Sequence, residues 1–454
     1  MPYILNTKKD SQHMLDAIGV SSIEELYSQV PSQIRLDSSL KWPQGCSEFE
    51  VKKRIEELAS KNIVLGKFNS FLGAGCYDHY IPAALEFILG RSEFLTAYTP
   101  YQPECSQGIL QAIYEYQSFI CLLTGMDVSN ASLLDGASSL AEAVLMALRI
   151  TKRRKIILAG VFHPEYVQTL NTYLSGFDFI LEQVKAGGDG LIDLGLLNQT
   201  LDSDTACCLL QSPNFFGLIE NTEEITKLVK AKGALTVMVT NPLSLAIIKE
   251  PASLGVDIVC GDGQSLGASL NFGGSSFGFM ATTKQYLRQL PGRIAGKTED
   301  KEGKAAYCLT MQTREQHIRR EKATSNICSN QSLNAIGAAV YLSLLGKDGF
   351  KKGALYSFSS IQYLYQRLKE VRGVKLPHQP RIFNEFVWEV QDAKVIMAQL
   401  YKKNIIAGYY LGDKFLDYKN GILSCCTEKK SKEDIDSFIN ALAEVLHGEK
   451  TYIR

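Results

Sequence analysis

The sequence has no excess of charge of either sign, since 48 Lys and Arg residues balance 48 Asp and Glu residues over 454 positions. A protein whose main partner is nucleic acid or an anionic membrane usually carries a basic excess. The sequence also lacks any apolar run near the ~18 residues that a membrane-spanning helix needs. These two absences predict that its partners include neither nucleic acid nor a membrane.

Cysteine pairs with metal-binding or redox spacing are also absent, although the sequence has 11 cysteines. No CxxC pair occurs, the number is odd, and cysteines such as Cys121, Cys207 and Cys425 lie inside apolar runs. This pattern argues against a disulfide framework and against a zinc site. The first residues lack the apolar stretch of a secretory signal. We therefore predict reduced thiols and a cytoplasmic location.

Apolar periodicity predicts three units: a helical N-terminal segment (1–65), a large α/β domain (66–325), and a connecting helix with a small α+β domain (326–454). In the first unit, Ser47 and Glu50 form a capping box that predicts a helix start. Between residues 130 and 283, apolar runs such as Leu235–Val239 alternate with helical patterns such as Pro164–Leu174. The alternation predicts a mostly parallel sheet that helices cover on both faces. Residues 296–326 are charged and only weakly periodic.

Three segments follow predicted strands, which is where the ligands of such a sheet bind. Residues 135–139 (DGASS) open a helix, and their small side chains allow either an anion site or a plain helix cap. His163 follows a strand end. There it could serve as a base, as a stacking ring or as a structural residue. The loop 212–221 (SPNFFGLIEN) either lines a pocket or packs its aromatic rings inside. The residues alone leave these alternatives open. Neither GxGxxG nor GxxxxGK[ST] occurs, so nucleotide binding has no support.

This order of elements has the shape of a fold type I pyridoxal-phosphate enzyme, with α/β architecture, a large mostly parallel sheet and a small C-terminal α+β domain. Such an enzyme needs a lysine after a late strand and an aspartate beside the pyridine nitrogen of its cofactor. No lysine occurs between Lys249 and Lys284, and Leu266 stands near the expected position. Thr240, followed by asparagine and proline, stands where the aspartate is expected. We therefore predict the fold without its own covalent chemistry.

Long segments of the sequence are similar to the glycine dehydrogenase (decarboxylating) family, the P-protein of the glycine cleavage system. They read LGAGCYDHYIP, AYTPYQPECSQGILQAIYEYQ, TGMDVSNASLLDGASSLAEA, SPNFFGLIE, VTNPLSLA, GDGQSLG and TREQHIRREKATSNICSNQ. The resemblance covers the chain from about Lys53 to the C-terminus. The length and the missing lysine resemble subunit 1, the N-terminal half in organisms that split the protein in two.

The resemblance implies two subunits that are distant copies of one fold and assemble as a heterotetramer of two pairs. It implies that glycine dehydrogenase subunit 2 carries the pyridoxal phosphate on a lysine, while this chain closes the active site at the subunit interface. In that reaction glycine loses carbon dioxide, and the aminomethyl group passes to the lipoyl group of the H-protein.

On this resemblance, we expect Tyr98, Tyr101 and Gln102 to contribute to the partner's active site. Their loop offers rigid aromatic rings with hydrogen-bonding tips, which suit a wall that reaches into a neighbouring pocket. Plain packing at the interface is the alternative.

Thr324, Ser325 and Asn326 follow the basic run HIRREK, and we expect them to help hold the cofactor phosphate across the interface. An exposed, charged helix is the alternative for the basic residues. Two other functions stay open at this stage. One is a structural pseudoenzyme that stabilises subunit 2 and docks the H-protein, and the other is a self-sufficient transferase that uses a lysine such as Lys284.

Overall fold

The computed structural model describes residues 5–36, 42–96, 98–324, 327–379 and 381–448. The chain divides into two compact units, Met1–Val64 and Leu65–Arg454. The predicted boundary between the large and small domains, at residues 325 and 326, lies outside the described residues. No helix of the described part is long and apolar enough to cross a membrane.

Among its described residues, the first unit contains two α-helices, α1 (Lys8–Ile18) and α2 (Glu48–Ala59). Helix α2 begins at the predicted capping box. The Glu50 N–H donates to Ser47 Oγ at 3.3 Å, and the Glu50 carboxylate accepts the Ser47 N–H at 2.8 Å. These bonds satisfy two backbone donors that a helix start otherwise leaves without partners.

From residue 69 to residue 282 the α-helices and β-strands of the described residues follow in this order: β1 (Asn69–Ser70), α3 (Ala83–Leu89), α4 (Ser92–Leu95), α5 (Gln107–Thr124), β2 (Val128–Ser129), α6 (Gly136–Thr151), β3 (Lys155–Ala159), α7 (Pro164–Leu174), β4 (Ile180–Val184), α8 (Leu194–Thr200), β5 (Thr205–Gln211), α9 (Thr222–Ala231), β6 (Leu235–Val239), β7 (Ile258–Asp262) and β8 (Gly278–Thr282).

Seven of these strands form one sheet in the order β2-β8-β7-β6-β5-β3-β4. The neighbours from β7 to β4 run parallel, and β8 is antiparallel to both β7 and β2. The predicted fold, a mostly parallel sheet in an α/β protein, is therefore confirmed.

Alternate residues of each central strand enter two separate hydrophobic cores. Ile156 and Leu158 of β3 pack on the face that α6 and α7 cover. Ile157 and Ala159 pack on the opposite face, against α5, α8 and α9. Because both faces are buried, the strands are continuous apolar runs, as is usual for parallel sheets.

An antiparallel hairpin, β9 (Ile294–Glu299) and β10 (Ala305–Thr310), occupies part of the charged stretch for which the sequence predicted no element. Its turn is made of charged residues and glycine. These residues weaken the apolar pattern of the short strands on either side, so the sequence did not predict them. Ala295 and Leu309 of the hairpin are buried in a hydrophobic core that also contains Ile113 of α5, and Tyr307 packs against this core. A short helix, α10 (Gln316–Arg319), follows it.

The C-terminal part begins with the long helix α11 (Ser332–Lys369), which is interrupted at Gly346, where φ is 60° and ψ is −178°. A four-stranded sheet with the order β11-β12-β15-β14 follows, and β13 pairs instead with β1. Trp388 and Phe438 are fully buried in the core of this part. The remaining elements are β11 (Val374–Lys375), β12 (Glu385–Val390), α12 (Ala393–Tyr401), β13 (Ile405–Ile406), β14 (Tyr409–Tyr410), β15 (Gly421–Cys425) and α13 (Lys432–His447).

Candidate functional site

A small cavity lies at the carboxyl ends of the parallel strands. Gln211, Val239 and Asp262, the last residues of β5, β6 and β7, line it together with residues of several loops and of β12. Its volume is about 50 Å³. A buried water needs about 10–15 Å³ of such space, whereas pockets for drug-sized molecules measure roughly 300–1,000 Å³. The cavity therefore has room for a few waters only.

Beside the cavity, carboxylates occupy the N-terminus of α6, where a fold of this kind would place a phosphate. Asp135 accepts the Ser138 N–H at 2.7 Å, and Asp262 of β7 accepts the Gly136 N–H at 3.1 Å. The Ser139 hydroxyl donates to the Asp135 carbonyl at 2.6 Å. The plain helix cap is therefore the arrangement observed for residues 135–139. An anion placed here would meet two negative groups in place of free N–H donors.

The same helix start is also closed sterically. A Cβ added at Gly136 would overlap the Tyr166 hydroxyl and would lie 2.7 Å from the Asp262 backbone nitrogen. Burial raises the pKa of Tyr166 well above its ordinary value, and it also raises the pKa of Asp262. Neither side chain leaves room for a phosphate group at this point.

The cavity wall is acidic, because Asp262 and Glu385 line it and no Lys or Arg among the described residues does. Glu385 is buried at the start of β12. Its carboxylate accepts hydrogen bonds from the Tyr77 hydroxyl at 2.6 Å and from the Ala74 N–H at 2.9 Å. Burial without a cation raises the pKa of Glu385 to about 7.

Thr240 and Asn241 line the cavity at the end of β6, as the sequence predicted for the position of the missing aspartate. Thr240 Oγ1 and Asn241 Nδ2 are buried without a hydrogen-bond partner among the described residues. Ser265, which follows β7, lines the same cavity, and its hydroxyl donates to Asn241 Oδ1 at 2.8 Å. Leu266, which the sequence placed near the lysine position, packs in the hydrophobic core instead.

His163 lies on the cavity wall as a neutral ring with both nitrogens occupied. Its Nδ1 accepts the Glu165 N–H at 3.2 Å, so Nε2 carries the proton and donates to the Ala74 carbonyl at 3.0 Å. Its ring stacks on Tyr166 with centroids 5.0 Å apart, and burial lowers its pKa. Through these hydrogen bonds His163 links the loop around Ala74 to the start of α7.

These residues do not fit pyridoxal phosphate. The cofactor needs a lysine, an anion site and a carboxylate beside its ring nitrogen. Among the described residues, Ser265 and Thr240 line the cavity and no lysine does, while carboxylates cap the helix beside it.

The loop 212–221 is a structural loop. Asn214 is buried, with Nδ2 donating to Glu220 at 2.8 Å and to the Gly190 carbonyl at 3.0 Å. Its Oδ1 accepts two backbone N–H groups of the same loop. All of its amide groups are used internally, so Asn214 has none left for a ligand.

The residues expected to serve the partner lie elsewhere, in the loop 98–102. Tyr98 is 76% exposed and its hydroxyl lies 2.7 Å from Ser329 Oγ. Tyr101 is 47% exposed, and Gln102 is exposed as well. The structure therefore brings this loop next to the segment that follows the HIRREK run.

Arg293 joins the two segments, and sequence reasoning missed it. Its Nη2 donates to Tyr101 Oη at 2.6 Å and also to the Cys328 carbonyl. Its Nε lies 3.7 Å from a Glu315 carboxylate oxygen, and its guanidinium carbon lies 5.0 Å from the Tyr101 ring centre. An arginine at the start of a strand carries no sequence signal of such a role, because Tyr101 is 192 residues away.

Thr324 lines a groove of about 710 Å³ between α6 and the residues 321–324 and 327–329. Ser329, the hydrogen-bond partner of Tyr98, lines the same groove. Ser325 and Asn326 lie outside the described residues. The basic side chains of the HIRREK run are exposed, in agreement with a solvated charged surface.

Solved structures with low sequence identity show the fold class of the chain. The chain matches glutamate decarboxylase of Lactobacillus brevis with a TM-score of 0.69 and 13% identity, over 93% of this chain and 98% of that one. It matches cysteine desulfurase of Thermococcus onnurineus with a TM-score of 0.64 and 17% identity, over 87% and 98%. At these identities the likeness concerns the fold alone, which is the α/β fold of type I pyridoxal-phosphate enzymes.

Closer relatives define the family. The model of the glycine cleavage system P-protein family matches residues 1–442. A protein of Desulforamulus reducens named probable glycine dehydrogenase (decarboxylating) subunit 1 is 48% identical over 96% of this chain and 98% of its own length. A protein of Carboxydothermus hydrogenoformans with the same name is 47% identical over 99% and 100%. The chain belongs to the glycine cleavage system P-protein family, in which it resembles subunit 1.

A solved structure of the family is also similar. It is described as glycine decarboxylase (P-protein) of the glycine cleavage system in inhibitor-bound form. It superposes with a TM-score of 0.90 and 38% identity, over 98% of this chain and all of that chain. The family expected from the sequence motifs is thereby confirmed.

Proposed function

We propose that this chain is an obligate subunit of a glycine-decarboxylating complex and that subunit 2 holds the pyridoxal phosphate. The observation that carries this proposal is the cavity at the strand ends, where a serine, a threonine and a carboxylate-capped helix stand in place of the cofactor's ligands. The proposed complex is a cytoplasmic heterotetramer of two pairs. It releases the carboxyl group of glycine as carbon dioxide and transfers the aminomethyl group to the lipoyl group of the H-protein.

In this proposal, the cofactor of subunit 2 supplies the electron sink for decarboxylation. The present chain supplies part of the wall around the reacting glycine through Tyr98, Tyr101 and Gln102. A dry wall favours the loss of carbon dioxide, because water stabilises the charged carboxylate more than the neutral product. The exposure of both tyrosines and their fixed contacts with Ser329 and Arg293 support this role.

Thr324, Ser325 and Asn326 are the residues that we propose to act on the cofactor phosphate across the interface. The support is limited to Thr324, which lines a groove that also reaches Ser329. A hydroxyl at such a position is a suitable donor to a phosphate oxygen.

The test is to assemble the chain with subunit 2 and to measure glycine–bicarbonate exchange. We expect Tyr101→Ala to leave folding and assembly intact and to slow exchange by one to two orders of magnitude, equivalent to roughly 1.4–2.7 kcal/mol of barrier. Tyr356→Ala is the matched control, because Tyr356 is 61% exposed and lies on α11, outside the loop. An assembled Tyr101→Ala complex with an unchanged rate would favour a structural subunit that only stabilises its partner and docks the H-protein.

A further inference from the structure

Arg293 is a buried arginine whose side chain points toward an exposed tyrosine. The residue is only 6% exposed, whereas Tyr101 is 47% exposed. Besides Tyr101 Oη and the Cys328 carbonyl, its guanidinium donates to Asn330 Oδ1 at 3.4 Å. One cation therefore connects the loop 98–102 with the segment 328–330, while Glu315 provides the opposite charge at 3.7 Å.

The backbone that carries Arg293 is held in place independently of Tyr101. The Arg293 carbonyl accepts the Ala131 N–H at 2.8 Å. The preceding turn is fixed by Arg314, which donates to the carbonyls of Leu290 and Gly292. A guanidinium on such a support holds its hydrogen-bond partners in one geometry, as positioning groups must.

The direction of the hydrogen bond between Arg293 and Tyr101 is fixed by chemistry. A guanidinium has five N–H donors and no acceptor, so the tyrosine oxygen must accept. The phenol proton is then left for another group. No hydrogen bond from the Tyr101 hydroxyl to an acceptor occurs among the described residues, in which Arg293 is its partner.

We propose that Arg293 is a positioning residue that holds Tyr101 as a hydrogen-bond donor toward an anionic acceptor in the partner's active site, the carboxylate of the bound glycine. This proposal rests on the proposed function, which supplies that substrate. Accepting a bond from a cation polarises the phenol and strengthens its own donation. Because Arg293 already holds Tyr101 in place, the tyrosine side chain loses less conformational entropy when it contacts the substrate.

The experiment compares Tyr101→Phe, Arg293→Lys and the double variant in the complex assembled with subunit 2. We expect each single variant to raise the KM for glycine about 10- to 100-fold, because each disturbs a hydrogen bond to a charged group. The KM for the H-protein should not change. The double variant should match the larger single effect, because both substitutions act through one hydroxyl.

Arg153→Lys is the matched control. Arg153 also donates to backbone carbonyls, those of Thr205, Lys232 and Gly233. It lies at the amino-terminal ends of β3 and β5, whereas the cavity lies at the carboxyl ends of the strands. It should leave both KM values unchanged. Near-ultraviolet circular dichroism and co-elution with subunit 2 check that each variant is folded and assembled.

Each contrary result has its own meaning. Additive effects of the two substitutions, or an equal rise of the KM for the H-protein, would show a general structural role and overturn the positioning proposal. If Tyr101→Phe raises the KM for glycine but Arg293→Lys does not, only the role of Arg293 is lost. If no Tyr101 variant changes catalysis by the assembled complex, the proposed function of the loop fails as well.

Discussion

At the scale of single residues, Glu385 makes protein stability depend on pH. Its two oxygens accept bonds from Tyr77 and Ala74, and burial raises its pKa from 4.5 to about 7. Between these values the folded state binds more protons than the unfolded state. The free energy of unfolding must therefore fall as pH rises through this window, by roughly 3 kcal/mol for this group.

We predict that Glu385→Gln flattens this dependence, because an amide keeps the acceptor for Tyr77 and does not ionise. The measurement is urea unfolding from pH 5 to pH 8. Replacing the exposed Glu104 by Gln is the control and should leave the slope as it is. An unchanged slope in Glu385→Gln would show that Glu385 ionises with an ordinary pKa in the fold.

A second residue-scale prediction concerns the missing lysine. Ser265 faces the cavity, and Lys284 lies outside it at the start of a 3₁₀ helix, with its N–H donating to Asp127 at 2.8 Å. Treatment of the isolated chain with pyridoxal phosphate and borohydride should therefore label no lysine stoichiometrically. Peptide mapping reads the result, and subunit 2 is the positive control. A full equivalent of label on Lys284 would instead support a self-sufficient transferase.

The sequence predicted where strands end better than it predicted which residues interact. Thr240 was located correctly because a strand end is a local pattern of apolar residues followed by turn residues. Arg293 and Glu385 gave no such signal, since their partners lie 192 and 311 residues away in the chain. Long-range hydrogen bonds of this kind depend on the finished fold.

At the scale of secondary structure elements, the start of α6 can be tested by adding one methyl group. Gly136→Ala should destabilise the protein by about 1–3 kcal/mol or more, because the new Cβ meets the Tyr166 hydroxyl and the Asp262 backbone. Gly108→Ala, in the first turn of α5, is the matched control, since nothing lies within 4 Å of its added Cβ. It should stabilise by about 0.5–1 kcal/mol.

Thermal and urea unfolding of both variants check this prediction. Equal effects of the two substitutions would mean that α6 can shift to make room at its N-terminus. In that case the start of α6 could also move to admit a phosphate group.

Elements with strong end signals were predicted well. Helix α7 has a proline at its first position and matches its predicted bounds, and α2 begins at its predicted capping box of Ser47 and Glu50. The hairpin β9–β10 was missed because its charged turn dominates a short window of sequence.

At the scale of the whole molecule, the first unit has exposed apolar side chains that suit contact with a partner. None of the residues of α1 and α2 is buried, although α2 carries Val51, Ile55 and Leu58 on one helical stripe. Their exposed fractions are 48%, 58% and 49%. Large apolar surfaces of this kind mark sites of protein association. We expect the complete chain to assemble with subunit 2 through this stripe.

The last prediction tests that stripe on the complete chain. The double variant Ile55→Ser, Leu58→Ser should weaken binding to subunit 2 about 100-fold or more, because each aliphatic side chain contributes ~1.5–3 kcal/mol when it is fully buried. Lys53→Ser, about half a helical turn away from the stripe on α2, is the control and should bind normally. Calorimetric titration gives the affinity, and sedimentation should show a heterotetramer for the unmodified pair. Full affinity of the double variant would mean that subunit 2 is recognised by the residues 65–454 alone.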